Sequence, residues 1–409
     1  MESKKRILFV DDDPNVLHGL RRMLHRMRDM WDMEFVESGE LALDRLEEQQ
    51  FDVVVSDMRM PGMNGAQLLE QIQQRHPQTV RLILSGYSDQ ELVLRSVGPA
   101  HQFLAKPCDA DTLVQCVKRS CALREFLSNQ FISTTIGRIK ALPVLPSVYT
   151  ELLNTLADEE ASLADVGRII SRDVGMSAKI LQLVNSAFFG LRQEIEDPSR
   201  AVMFLGLDTI KSLVLSVSVF SSFDAGTVEE FSVDGLQLHS LGVGALAKQL
   251  AMDAGLDIPS QEDTFCAGIM HDIGKLILIA NFPDEYRQVL SQVNAYEPEL
   301  VNAERDTIGT DHAQLGGYLL ALWGLPDPIV EAVTLHPTPG ISPNRVIGPL
   351  AFVHVADLLE HELSARKPSG HLPYDQSYLR ELGLEGELPR YRQIAESFLY
   401  DTVNQRAVG

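Results

Sequence analysis

Five polar residues near the start of the sequence each follow a short apolar run that is typical of a buried β-strand. They are Asp11, Asp12, Asp57, Ser85 and Lys106. The carboxyl ends of parallel strands meet at one edge of a sheet, so we expect these side chains to lie together. Clustered carboxylates repel one another unless a cation neutralises them, and oxygen ligands suit Mg²⁺. Such an aspartate can attack phosphorus to form an aspartyl phosphate, while a metal ion and a lysine stabilise the transferred oxygens.

Apolar runs and helical patterns alternate around these residues. We predict strands over the ranges Lys5–Val10, Glu34–Glu37, Phe51–Ser56, Val80–Leu84 and Gln102–Ala105. Asp13 followed by Pro14 is a helix start signal, because the carboxylate can cap the helix and proline suits its first position. Further helices are predicted near Gly65–Arg75 and from Asp109 to Val117. The alternation predicts an α/β fold with a doubly wound, five-stranded parallel sheet.

These features resemble the receiver domain of bacterial two-component response regulators. The resemblance covers residues 1–123 and implies that Asp57 accepts a phosphoryl group from a sensor histidine kinase or a phosphotransfer protein. It also implies a Mg²⁺ site formed by Asp11, Asp12, Asp57 and the backbone carbonyl of Arg59. It further implies that Ser85 forms a hydrogen bond to the phosphoryl group and that Lys106 pairs with its charge. Phe103 would be the aromatic residue that changes position on phosphorylation.

Four polar residues interrupt the strongly apolar helical patterns of the second part of the chain. They are His239, His271, Asp272 and Asp357. The helical periodicity begins after the proline-bounded segment Leu142–Ser147 and predicts an all-α bundle. A buried carboxylate costs on the order of several kcal/mol unless it is paired or binds a metal. The four residues therefore form either a buried polar network or a metal site.

The order His239, His271-Asp272, Asp357 resembles the signature of HD-type metal phosphohydrolases. Longer stretches between about 140 and 340 resemble the related HDOD family, among them the run Leu183–Gly190. That resemblance implies an HD-like fold that acts as a signalling or interaction module with an eroded metal site. All four HD positions are nevertheless present in this chain.

Two further histidines, His312 and His336, resemble the additional histidines of the HD-GYP cyclic-di-nucleotide phosphodiesterases. The GYP signature is absent, and Pro337 stands where that family has a second histidine. The two resemblances together keep open a site for Fe, Mn or Zn formed by the six HD-type residues. We expect no catalytic residue in the output domain on this basis.

Four segments are predicted: a receiver domain over 1–123, a helical linker over 124–140, an HDOD domain over 141–340 and a helical extension over 341–409 that completes the bundle. The formal net charge of −22 disfavours direct contact with nucleic acid. The four cysteines form no C-x-x-C pair, and neither a signal peptide nor a membrane-inserted segment is evident. These features predict a cytoplasmic location.

The predicted function is phosphorylation-controlled signal transduction with a non-catalytic, protein-interacting HDOD output. Phosphorylation would change dimerisation, giving or separating a homodimer, or would expose a surface for a downstream protein. The alternative is a receiver-gated, metal-dependent phosphohydrolase or cyclic-di-nucleotide phosphodiesterase that uses the HD-type residues. The sequence identifies neither the kinase nor the downstream partner.

Overall fold

A computed structural model of the 409-residue chain describes most of the sequence. The described residues are 4–76, 79–86, 102–106, 142–143, 145–156, 162–191, 195–223, 231–293, 297–364 and 374–406, together with the single positions 110, 113, 114, 117, 135, 138, 139 and 193. The description covers the backbone alone at 85–86, 102–106, 297–298 and 399–406. Most of the predicted linker over 124–140, and most of the helix predicted from Asp109, lie outside the described residues.

The chain divides into two compact units. The first comprises residues 1–144, 308–310 and 318–325, and the second comprises 145–307, 311–317 and 326–409. Among the described residues, no helix is both long enough and apolar enough to cross a membrane.

The first unit contains an α/β sheet whose five strands are all parallel. The strands are β1 (Lys5–Val10), β2 (Trp31–Val36), β3 (Val53–Asp57), β4 (Val80–Gly86) and β5 (Gln102–Lys106). The helices between the first four strands are α1 (Pro14–Met23), α2 (Gly39–Glu48) and α3 (Gly65–Arg75). The strand order is β2-β1-β3-β4-β5. The predicted parallel sheet is therefore confirmed, and β2 begins at Trp31 rather than at Glu34.

The central strand of this sheet is β3, and its valine side chains carry no polar atoms that would need hydrogen-bond partners. Val53, Val54 and Val55 are fully buried, as expected for a strand covered on both faces. Helix α3 begins close to the end of β3, because a Cβ atom on Gly65 would collide with the backbone carbonyl of Asp57. The predicted cap of α1 is confirmed, since the Asp13 side chain accepts a hydrogen bond from the Asn15 N–H.

The second unit is helical throughout its described part, which confirms the predicted all-α class. Its first helices are α4 (Ser147–Leu156), α5 (Leu163–Ser171), α6 (Val174–Val184), α7 (Pro198–Leu205) and α8 (Leu207–Phe220). The middle helices are α9 (Val233–Asp253), α10 (Ile258–Met270), α11 (Ile273–Asn281), α12 (Pro283–Gln292) and α13 (Glu297–Ile308). The remaining helices are α14 (His312–Leu322), α15 (Asp327–Leu335), α16 (Pro349–Ser364), α17 (Gln376–Glu381) and α18 (Leu388–Arg406). Ile308 of α13 and the residues of α14 from Tyr318 onward belong to the first unit.

Helices α9, α10 and α16 pack against one another at the centre of this unit, and α15 packs on α10 and α16. Glycines set how closely two of these pairs approach. A Cβ atom on Gly268 of α10 would lie 2.5 Å from Gly244 Cα of α9. A Cβ atom on Gly274 of α11 would collide with the His312 carbonyl at the start of α14. These contacts require glycine, and they fix the positions of the histidines that lie one or two turns away.

The positions of His271 and Asp272 differ from the expectation that the polar residues lie within helices. Both residues fall at the junction between α10 and α11, where His271 ends the first helix and Asp272 precedes the second. The chain changes direction there because the Asp272 backbone leaves the helical conformation. The sequence did not predict this break between the two helices, because the apolar periodicity continues through it.

Candidate functional site

The first group of predicted site residues gathers at the carboxyl edge of the parallel sheet. Strands β1 and β3 are neighbours, with Val10 opposite Ser56, so Asp11 and Asp57 lie side by side where the strand order reverses. Asp11 is 3% exposed, Asp57 is half-buried and Asp12 is exposed. Ligands of open α/β sheets bind at this reversal point. An edge with buried and solvent-facing carboxylates provides the oxygen ligands that Mg²⁺ prefers.

Backbone N–H groups orient two of these carboxylates. The Arg59 N–H donates to Asp57 Oδ2 over 2.6 Å, and the Asp13 N–H donates to Asp11 Oδ1 over 3.0 Å. Both carboxylates are therefore held at the edge of the sheet where a metal ion or a phosphoryl group would bind. The structure thus places a held but half-exposed carboxylate at the predicted phosphorylation position.

The remaining receiver residues lie on the two adjacent strands. Ser85 stands opposite Ala105, and Lys106 stands opposite Gly86, at the same end of the sheet as Asp57. Phe103 lies opposite Ile83 on β5. Their side chains lie outside the described residues, so their proposed roles toward a phosphoryl group stay predictions.

All six HD-type residues of the second unit meet in one place. We call them the histidine–aspartate cluster: His239, His271, Asp272, His312, His336 and Asp357. His239 comes from α9 and Asp357 from α16, His271 and Asp272 come from the α10–α11 junction, and His312 and His336 come from the start of α14 and the end of α15.

The distances between the nitrogen and oxygen atoms of this cluster are short. Asp357 Oδ1 lies 3.2 Å from His239 Nε2 and 3.5 Å from His271 Nε2. Asp272 Oδ2 lies 3.4 Å from His271 Nε2, and its Oδ1 lies 3.3 Å from His312 Nε2. The ring of His336 lies 4.9 Å from that of His271, measured between centroids. The six residues therefore form one continuous group.

The four histidines share one orientation: Nδ1 points outward to an oxygen and Nε2 points inward. His271 and His336 use Nδ1 to donate to the backbone carbonyls of Gly268 (2.7 Å) and Val333 (2.9 Å). A carbonyl oxygen can only accept, so Nδ1 carries the proton in both rings. The other two use Nδ1 toward carboxylates: His239 toward Glu360 (2.6 Å) and His312 toward Glu304 (2.7 Å).

This orientation is the one that metal-binding histidines adopt. A histidine that binds a metal through one ring nitrogen donates from the other to a carboxylate or a carbonyl, which fixes its tautomer and direction. Within the described part of the chain, His239 Nε2, His271 Nε2 and Asp272 Oδ1 are buried and have no hydrogen-bond partner. Metal–nitrogen bonds of about 2.1 Å give a tetrahedral edge of roughly 3.4 Å, which is close to the donor separations found here. The residues therefore fit a divalent transition-metal ion.

The pKa values of His239 and His271 also indicate a site that favours a cation. Burial by itself lowers the pKa of His239, but the carboxylates of Asp357 and Glu360 outweigh it and raise that pKa to about 9. Burial also lowers the pKa of His271, and the charges of Asp272 and Asp357 outweigh it and raise the pKa to about 9. Both imidazoles are therefore doubly protonated and positively charged at neutral pH when no other cation is present. A bound metal ion would take the place of these protons.

The two aspartates are kept ionised by the same neighbours. Burial acts to raise the pKa of Asp272, and the charges of His271 and Lys275 outweigh it and hold that pKa well below its usual range. Burial acts likewise on Asp357, where His361 and His239 outweigh it and lower the pKa. Both carboxylates are thus acceptor-only groups across the physiological range.

Four neighbours of the cluster were not identified from the sequence: Lys275, Glu304, Glu360 and His361. Lys275 lies three residues after Asp272, while Glu360 and His361 lie three and four residues after Asp357. These are the spacings at which helical side chains share a face, so the sequence did carry a signal for them. Glu304 lies on α13, and no local spacing connects it to His312.

Among the described residues, the side chains of the cluster and its neighbours differ in their exposure to solvent. The side chains of His271, Asp272 and His312 are 0% exposed. The exposed fraction rises to 15% at His239 and 36% at His361, whose Nδ1 lies 3.1 Å from Asp357 Oδ1. A ligand that approaches from solvent would therefore meet His239 and His361 before it meets the buried donors.

A further histidine connects the cluster to the C-terminal helices. Burial lowers the pKa of His354 to about 4, so its ring is neutral. Its Nδ1 donates to the His336 carbonyl over 2.7 Å, and its Nε2 accepts from the Asp375 N–H over 3.1 Å. The segment before α17 is thereby attached to the residue that carries one of the inward-pointing imidazoles.

Comparison with known families agrees with this division of the chain. The family model of the response regulator receiver domain matches residues 7–118, and that of the HDOD domain matches residues 142–339. The chain therefore pairs a receiver domain with an HDOD domain, and this pairing points to a response regulator of two-component signalling. The resemblances to the receiver domain and to the HDOD family are confirmed.

Two curated proteins illustrate the similarity. An uncharacterized protein of Treponema pallidum is 29% identical over 257 residues, which cover 61% of this chain and 47% of that protein. The hydrogenase transcriptional regulatory protein HoxA of Cupriavidus necator is 34% identical over 120 residues, which cover 28% of this chain and 23% of HoxA. The matches thus span less than half of either relative.

Among solved structures, an HDOD domain protein of unknown function from Geobacter sulfurreducens is 22% identical, with a TM-score of 0.49. The match covers 69% of this chain and 98% of that structure. A receiver domain generally implies Mg²⁺ binding and phosphorylation by a histidine kinase or a phosphotransfer protein.

The raised pKa values of His239 and His271 predict how metal-free protein responds to pH. Their ordinary value is 6.5. The folded state keeps protons that the unfolded state has lost, so the free energy of unfolding falls as the pH rises from 6.5 to about 9. We expect a decrease on the order of a few kcal/mol. Urea unfolding of chelator-treated protein at pH 6.0 and 8.5 measures it.

The same experiment on His271→Ala should show a smaller decrease, since one of the two proton-holding rings is gone. Added Zn²⁺ should stabilise the wild type more at pH 8.5 than at pH 6.0, because the ring nitrogens must lose their protons to bind metal. Equal stability of the metal-free protein at both pH values would contradict the assigned protonation.

Proposed function

We propose that this chain is a response regulator in which phosphorylation of Asp57 controls an output domain that holds a divalent metal ion. The receiver part of the proposal is supported by the placement of Asp11 and Asp57 at the reversal point of the sheet. Asp11, Asp12 and Asp57 would hold Mg²⁺, with the Arg59 carbonyl as a further ligand. The ion supplies charge stabilisation to the transferred oxygens.

The groups around Asp57 orient its carboxylate for attack on phosphorus. Its Oδ2 accepts from the Arg59 N–H, which holds the carboxylate at the edge of the sheet where the phosphoryl donor would approach. In the reaction an Asp57 oxygen forms a bond to phosphorus while the bond from phosphorus to the donor's leaving group breaks. Lys106 would pair with the phosphoryl oxygens and Ser85 would hydrogen-bond them, which favours the phosphorylated state.

For the output domain, the observation that carries the proposal is the shared orientation of the four histidines. Every one is anchored through Nδ1 and directs Nε2 toward Asp272 or Asp357 or toward a neighbouring ring of the cluster. A mixed set of imidazoles and carboxylates suits Fe, Mn or Zn. The metal would join α9, the α10–α11 junction and α16, because these elements carry His239, His271 and Asp357.

We further propose that this output is a non-catalytic signalling module that acts on a downstream protein. The inner donors are fully buried, so a phosphodiester would have little access to a metal held by His271, Asp272 and His312. Catalysis by a metal needs an open coordination position that the substrate can reach. A metal that joins helices, by contrast, gives the domain two states that a signal can select.

Phosphorylation is expected to depend on Asp57. Incubation with radiolabelled acetyl phosphate and Mg²⁺ should label the wild type, and Asp57→Asn should remove the label because the amide cannot attack phosphorus. Asp44→Asn is the matched control, since it changes an exposed aspartate on α2. Equal labelling of Asp57→Asn and the wild type would show that another residue is the acceptor.

Metal content is expected to depend on the cluster. Protein purified without chelator should contain close to stoichiometric Fe, Mn or Zn by mass spectrometry. His271→Ala should weaken metal affinity by roughly 100-fold or more, since it removes a donor rather than a neighbour of one. The control His18→Ala removes an exposed histidine of α1. A folded wild type that takes up no metal would leave a hydrogen-bonded polar core instead.

A metal-dependent phosphohydrolase is the second candidate function, favoured by the partial exposure of His239 and His361. A divalent ion would supply Lewis-acid chemistry, and a substrate would have to enter from this side. Hydrolysis of bis(p-nitrophenyl) phosphate by the metal-loaded protein tests it. Activity that disappears in Asp357→Asn supports hydrolysis, and inactivity across Mn²⁺, Fe²⁺ and Zn²⁺ favours the interaction module.

A further inference from the structure

The turn between α13 and α14 belongs to the first compact unit, although the residues on either side of it belong to the second. Residues 308–310 group with the receiver, whereas 307 and 311 do not. The turn separates Glu304 from His312. The His312 backbone N–H donates to Glu304 Oε2 over 2.9 Å, and its Nδ1 lies 2.7 Å from the same oxygen. The position of the turn therefore affects how one ring of the histidine–aspartate cluster is held.

Thr135, a described residue of the predicted linker, holds this turn. It is 2% exposed, and its hydroxyl donates to the Ile308 carbonyl over 3.1 Å. Ile308 ends α13, and the carbonyls of a last helical turn have no partners within their own helix. Gly309 follows with a φ of 95°, and a Cβ atom there would lie 3.2 Å from Thr135 Oγ1. The threonine thus lies directly against the turn.

The same linker segment contacts the receiver helix α3. Gln73 Nε2 donates over 3.3 Å to the carbonyl of Ile139, which is 4% exposed and four residues after Thr135. Gln73 lies in the last turn of α3, and Gly65 at the start of α3 packs against the Asp57 carbonyl. Helix α3 therefore meets the predicted phosphorylation site at one end and the linker segment at the other.

We propose that Thr135 transmits the state of Asp57 to the histidine–aspartate cluster through the α13–α14 turn, so that phosphorylation changes the affinity of the cluster for a divalent metal ion. This inference rests on the proposed metal site and specifies how the receiver regulates it. A shift of α3 moves the linker segment, and the Thr135 hydroxyl passes the shift to the turn between Glu304 and His312. Coupling between two binding sites is reciprocal, so metal must change the affinity of Asp57 for a phosphoryl mimic by the same factor.

Metal affinity of the full-length chain, measured with and without a phosphoryl mimic, tests this connection. Zn²⁺ affinity is determined by competition with a chromophoric chelator in the presence of Mg²⁺, before and after addition of beryllofluoride. We expect a change of at least about fivefold in the wild type and of less than about twofold in Thr135→Val. Valine keeps the size of the side chain but cannot donate to the Ile308 carbonyl. Circular dichroism establishes that each variant is folded.

A second variant and three controls accompany this measurement. Gln73→Ala removes the contact with α3 and should lose the coupling, while its Zn²⁺ affinity without beryllofluoride stays that of the wild type. Gln74→Ala changes an exposed glutamine of α3, and Thr150→Val removes an exposed hydroxyl that donates to the Pro146 carbonyl. Both should keep the wild-type change. Asp57→Asn should show no response to beryllofluoride.

The outcomes separate this inference from the proposed metal site. If beryllofluoride leaves the Zn²⁺ affinity of the wild type unchanged, the connection is overturned and the metal site remains. An unreduced change in folded Thr135→Val or Gln73→Ala overturns it as well. A wild type that binds no metal would overturn the metal site together with the inference. Should Thr135→Val fail to fold, Gln73→Ala decides, because it tests the same linker segment from a half-buried position.

Discussion

The concentration of negative charge inside the helical unit is the constraint on which the rest of its structure depends. Asp272 and Asp357 are almost fully buried, and two more carboxylates, Glu304 and Glu360, stand behind the histidines. Carboxylates in such surroundings require positive charge close by. The imidazoles and Lys275 supply it as protons and an ammonium group, and a metal ion can take the place of the protons. The same electrostatic demand therefore explains both the raised histidine pKa values and the fit to a metal.

The helix packing of this unit follows from the need to bring distant residues to that charge. Gly244 and Gly268 let α9 and α10 touch backbone to backbone, which places His239 within 5.2 Å of His271 between ring centroids. Gly274 does the same for α11 and α14, and so places Asp272 beside His312. In the receiver sheet, strand order brings the carboxylates together, because the reversal between β1 and β3 places Asp11 next to Asp57. In both units the backbone brings carboxylates close together, and nearby cations must then neutralise their negative charge.

The sequence predicted the secondary structure of the receiver closely because its signals are local. The β-branched run Val53–Val55 favours a buried strand, and the Asp13-Pro14 pair favours a helix start through its own side chains. The bundle was harder to divide into helices. His271 and Asp272 lie in an unbroken apolar period. No local pattern reports the break between α10 and α11 or the close approach of Gly274 to the His312 carbonyl.

By itself the sequence determined the two domain families, the parallel sheet, the helical class of the second unit and the identities of the six HD-type residues. Their order along the chain was enough, because strand ends converge in any parallel sheet and the signature fixes which residues can converge in the bundle. The tertiary structure alone decided how they are held: that each histidine turns Nε2 inward, that Glu304 and Glu360 orient two of them, and that Lys275 lies against Asp272. These are contacts and ring orientations, and they depend on helix–helix angles that arise only when the whole core is packed.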